Sequence, residues 1–226
     1  LKWRSRFMLV VSKLMAIGVI IFSMLAGFIF FYIVSDLSKA QKKRLLEEMI
    51  SQLINFMIFI WLGKVLLNLS IFIKDPLAIL AYPSNSNAFY LAVLFSAVVL
   101  AYKSKRRKMD VPLFMESFLP VFLVASFFYE FIQLVWHDRV YSLGYIILLT
   151  VLLITFLLVR DRISGSVLLI VMLCGWSAGV VLIAYTQPFA TVFGYLMDPW
   201  FVGLFFIVSI LIIIFNKRKR DRNGWN

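Results

Sequence analysis

The sequence is poor in the residues that most often carry chemistry. It holds one cysteine and one histidine in 226 residues, and 11 acidic side chains against 23 basic ones. Cys174 lies inside an apolar run, has no second cysteine to pair with, and reads as a small core hydrophobe. With His137 as the only imidazole, no Cys/His metal cluster can be assembled, and neither can a Ser/His/Asp or Cys/His couple. No Gly-rich phosphate loop occurs, so neither a metal nor a cofactor is expected. The internal repeats and paired interrupted helices that mark many transporters are missing as well.

Apolar residues make up 63% of the chain and charged residues only 15%. A soluble domain of this size could not hide that much apolar surface, so lipid must be the solvent for much of it. The formal net charge of +12 sits in short loops between apolar runs. That pattern suits anionic phospholipid headgroups and excludes nucleic acid as the partner.

The apolar runs are organised around a membrane hairpin. Residues 88–102 and 111–136 form two lengths able to cross hydrocarbon, joined by KSKRRKMD (103–110), with five cations in the six residues 103–108. Further runs at 8–34, 49–73, 142–159, 166–186 and 199–215 bring the total to seven. The expected fold class is therefore all-α: a polytopic membrane protein of about seven transmembrane helices in one domain over 1–226. The first run follows Lys2, Arg4 and Arg6 and imitates a signal peptide, but its length and the lack of a small-x-small site predict a retained helix. Small residues in CGWSAG (174–179) predict close approach of a neighbouring helix. Asp198 before Pro199 reads as the N-cap and first residue of the last helix.

Charge bias sets the expected orientation. The segments 35–48, 103–110, 160–165 and 216–226 hold 16 of the 23 Lys and Arg, while the opposite side holds five. This predicts an outside N-terminus and a cytoplasmic C-terminus, with the three cations before the first run dissenting.

Charges inside spans are costly and ask for a reason. Lys64 falls roughly 13 Å below the outer end of the second run, and Glu130 roughly 9 Å below that of the fourth. Their similar depths suggest an ion pair, while snorkelling of Lys64 and protonation of Glu130 form the alternative. Glu116, beside the basic turn, is expected to balance its Lys and Arg side chains. Glu130 and His137 are the weak candidates for catalysis, although a lone interfacial His is usually a solvated loop residue.

The order of features over residues 20–216 resembles the prolipoprotein diacylglyceryl transferases, seven-span bacterial enzymes that move diacylglyceryl from phosphatidylglycerol to a lipobox cysteine. LGKVLLNL (62–69) is similar to the family's Gly-Ala-Arg-Leu stretch, and DPLAILA (75–81) to its Asn-Pro-Leu-Glu-Ile-Leu-Ala. AYKSKRRKMDVPLFMESFLP (101–120) resembles the family's basic turn and following run, HDRVYSLGY (137–145) its His-Pro-Thr-Gln-Leu-Tyr-Glu segment, and GYLMDPWFVG (194–203) the start of its last span. The departures fall where those enzymes work. Tyr90, Leu91 and Ala92 stand at the His-Gly-Gly motif, Tyr129 to Gln133 at Gly-Arg-x-Gly-Asn with Glu130 in place of arginine, and Ala178 at a second arginine. Only Lys64 keeps a positive charge, and Lys64 and Gln133 remain as the residues the resemblance offers to a lipid. It thus implies a protein of the bacterial cytoplasmic membrane that interacts with anionic phospholipid, a lipoprotein precursor or another membrane protein. It leans toward a non-catalytic or chemically diverged role. A working transferase is the alternative, and a small transporter or channel the second.

Overall fold

The computed structural model describes residues 2–76, 79, 85–106, 109–137 and 141–223, with side chains over 15–76, 79, 85–106, 109–136 and 141–211. Eight helices are described: α1 (Lys2–Val34), α2 (Lys39–Leu67), α3 (Leu69–Lys74), α4 (Ser86–Lys105), α5 (Val111–His137), α6 (Ser142–Val159), α7 (Gly165–Thr186) and α8 (Pro199–Asn223). Six of them, α1, α2, α4, α5, α6 and α7, are long and apolar enough to cross a membrane, while the described apolar stretch of α8, Pro199–Leu211, is shorter. Between α7 and α8 two short strands, β1 (Thr191–Val192) and β2 (Tyr195–Leu196), form an antiparallel hairpin.

The helix limits follow from local chemistry. Ser38 opens α2 with a capping box: its Oγ accepts from the Gln41 N–H at 3.3 Å, and Gln41 Oε1 accepts from the Ser38 N–H at 3.1 Å. Most of the polar stretch 35–48 is thereby helical, forming the first turns of α2. The second apolar run, expected to be continuous over 49–73, breaks at Asn68. There both the backbone N–H and Nδ2 of Asn68 bond to the Lys64 carbonyl, which ends α2 and lets α3 start afresh. Asp198 caps α8 as its sequence suggests, its carbonyl accepting from Phe201 and Val202.

α5 is the axis of the bundle. It runs against α1, α6 and α7 and touches α2, and 56% of its spanning window is buried, more than in any other candidate span. α2 lies along α4, and α6, α7 and α8 follow in sequence around the bundle. Gly27 lets α1 reach α5: a Cβ there would stand 2.6 Å from the Val121 carbonyl oxygen. The 174–179 stretch does admit a neighbour, with Gly175 and Gly179 set against Leu152 and Leu148 of α6. Large side chains on the outer faces, among them Ile29, Ile33, Ile147 and Leu158, are exposed. In water such a surface would aggregate; in lipid it is solvated.

The helices alternate in direction, so the basic loops gather at one end. There Lys103 pairs with Glu48, joining α4 to α2. Arg160, after α6, donates to the Val34 carbonyl and lies 3.8 Å from Asp36, while Lys42 donates to the Tyr32 carbonyl at 2.8 Å. Two cations thus meet the C-terminal carbonyls of α1, where the helix dipole favours them. Glu116, expected beside the basic turn, instead accepts from Ser166 Oγ at 2.9 Å at the N-terminus of α7, where a carboxylate is stabilised by free N–H groups.

Candidate functional site

Toward the opposite end, a column of polar side chains is buried between α5, α6 and α7. Ser126, Glu130 and Gln133 recur at helical spacing on one face of α5, and all three are buried. Glu130 is only 2% exposed, and its Oε2 accepts from Ser142 Oγ of α6 at 2.7 Å. One turn along α6, the Tyr145 hydroxyl lies within the field of the Glu130 carboxylate and accepts from Trp176 Nε1 of α7 at 2.9 Å. Ser177, beside Trp176, is buried too. The column is one carboxylate among hydroxyls, an amide and an indole N–H. It can accept hydrogen bonds and hold a proton, whereas a phosphate is best held by cations or several converging N–H donors.

Lys64, at 9% exposure, is the one buried cation among the described side chains. It sits on the face of α2 next to Gly63, which approaches Ala88 of α4. Gln133 is buried one turn above Glu130 and belongs to the same column. His137 ends α5, but its side chain lies outside the described residues, as do Asp138 and Arg139. Most of the DPLAILAYPSN stretch is outside them as well. Ala178 is exposed on α7. No group of His, Cys, Asp or Glu suited to a metal exists among the described residues.

The β1–β2 hairpin packs beside the column, against Tyr129 and Phe122 of α5. Its two-residue turn, Phe193-Gly194, has positive φ at both positions, 51° and 82°, the mirror-type turn that suits the twist of short antiparallel strands. Gly194 needs its missing side chain for space too, since a Cβ would lie 2.7 Å from the Tyr129 hydroxyl. Phe193 tolerates its unusual backbone while its ring packs on Tyr129 and Phe122, with centroids 5.3 Å and 6.2 Å apart.

Tyr90, which stands where the resemblance places a histidine motif, fastens this hairpin to the bundle. Its hydroxyl donates to the Leu196 carbonyl at 2.9 Å and accepts from the Asp198 N–H at 3.0 Å. Its ring stacks on Phe201 at 3.9 Å, and Trp200 meets its edge. Sequence reasoning missed this clamp, as it missed Ser142, Tyr145 and Trp176. Ser126 and Gln133, at helical spacing on either side of Glu130, were the local hints of a polar face. No protein-family model matches the chain, and neither a search of curated proteins nor one of solved structures finds a match. Its own residues therefore carry the assignment: it is a multi-pass, helical, integral membrane protein.

Proposed function

We propose that the protein is a lipid-interacting membrane protein on a scaffold like that of the prolipoprotein diacylglyceryl transferases, without their activity. In this reading α8 completes seven spans, the basic end faces the cytoplasm of a bacterial cell, and anionic phospholipid is the partner. The observation that supports it is the character of the buried column. Where phosphate chemistry needs several fixed positive groups for developing charge, the described interior presents one buried cation, Lys64, and the carboxylate of Glu130 with the hydroxyls of Ser142 and Tyr145. Removing one stabilising donor from such a site typically costs about 10²–10³ in rate, and a carboxylate repels phosphate besides.

The test is direct. Purified protein, labelled phosphatidylglycerol and a lipobox peptide should yield no transferred diacylglyceryl, and the gene should not rescue a strain depleted of its transferase. Rescue, or turnover that disappears in Lys64→Gln or Glu130→Gln, would establish the alternative of a working transferase with a rebuilt site.

A further inference from the structure

We infer that one acyl chain of an anionic phospholipid occupies the groove between α1 and α5, with its phosphate at Arg160. This rests on the lipid-interacting reading above and adds where and how the lipid is held. The groove has a volume of about 470 Å³, within the usual range for ligand sites. On α1 it follows a single helical stripe that includes Phe22, Ala26, Ile29 and Ile33, and Val124 and Phe128 of α5 form its other wall. Phe22 and Phe128 meet edge to face with centroids 6.1 Å apart and close one end. From there to Ile33 is eleven residues, or roughly 16 Å of helix. That is about half of the ~30 Å hydrocarbon core, the depth of a single leaflet.

The open end lies at the basic side of the bundle. Ile33 lines the groove, and the next residue, Val34, gives its carbonyl to Arg160. Arg160 is also bound to Asp161 at 3.1 Å, while Asp36, at 3.8 Å and with an 88% exposed side chain, is a weak partner that a phosphate would outcompete. Lys42, on the Tyr32 carbonyl, and Arg162, exposed in the same loop as Arg160, add positive charge. Apolar lining alone would not select a ligand, since lipid tails are as apolar as the groove everywhere around the protein. A one-leaflet groove that ends at Ile33, next to the carbonyl held by Arg160, does select one.

The protein in detergent micelles, mixed with matched phosphatidylglycerol or phosphatidylcholine, can be weighed intact by native mass spectrometry. The wild type should retain one phosphatidylglycerol in preference to phosphatidylcholine. Ala26→Trp, which fills the groove, should lose it, and the milder Ala26→Leu should weaken it. Ile147→Trp, on the exposed face of α6, should leave retention unchanged. Arg160→Gln should narrow the preference for the anionic lipid about fivefold, the worth of one cation near an anionic surface. Equal retention in wild type and both Ala26 variants would overturn the groove while leaving the lipid-interacting reading intact. A wild type that carries no lipid would overturn both. A dimer that dissociates on filling the groove would show that a second copy of the chain occupies it, and would also overturn the inference.

Discussion

Glu130 and Ser142 share a hydrogen bond where neither can turn to water, so each limits what the other can become. Bonds of this kind between membrane helices are worth about 0.6 kcal/mol on average, rising to about 1.7. Ser142→Ala should therefore lower stability by about 1 kcal/mol, measured by denaturant titration in micelles. Tyr145→Phe should cost a similar amount, because it leaves the Trp176 N–H without its acceptor. The pair can be checked as a cycle: once Tyr145 is Phe, the loss from Trp176→Phe should shrink by the energy of the bond. Equal losses in both backgrounds would mean that the N–H and hydroxyl are not coupled. Lys64 and Glu130 were visible in the sequence as charges inside apolar runs. Their neutral neighbours were not, because a serine or tyrosine in a span looks the same whether it faces lipid or a carboxylate.

At the scale of the helix, the same logic separates what was legible from what was not. The limits of α6 follow from polar residues on both sides of an unbroken apolar run, and those of α8 from Asp198-Pro199. The break at Asn68 was hidden because the residues on both sides of it are apolar, and only the bonds of its side chain to the Lys64 carbonyl reveal it. Glu116 has a partner that proximity in sequence did not reveal: its turn of α5 presents it to the start of α7. Glu116→Gln should thus weaken the α7 N-terminus by about 0.3–1 kcal/mol in thermal unfolding, the usual worth of a charge at a helix end. Gly27→Leu should do more. A backbone carbonyl cannot swing aside as a side chain can, so the substitution forces α1 from α5 at a cost of about 1–3 kcal/mol.

For the whole molecule, the alternation of helices places residues 35–38, 106, 109–110 and 160–164 at one end and Asn85 at the other. Single cysteines at Ser35, Ser104 and Ser164, in a background lacking Cys174, should share one response to an impermeant thiol reagent, opposite to that at Asn85. Cation bias adds that the three resist reagent applied from outside. Mixed labelling among the three would contradict the fold; uniform outside labelling would invert the orientation and leave the fold untouched. This much of the architecture could be read from runs and charges, since alternation needs only the number of crossings. The fastening of the hairpin could not, because the partners of Tyr90, Leu196 and Asp198, are 106 and 108 positions from it.

That long reach has a consequence for how the protein is made. The fastening point on α4 leaves the ribosome more than a hundred residues before its partners at Leu196 and Asp198. Through that interval the Tyr90 hydroxyl has neither Leu196 nor Asp198 to bond, and the hairpin cannot yet be fastened. A nascent chain that stops before residue 190 would already hold the six helices long and apolar enough to cross a membrane, but not the hairpin. Only when Leu196 and Asp198 have been made can Tyr90 fasten the hairpin.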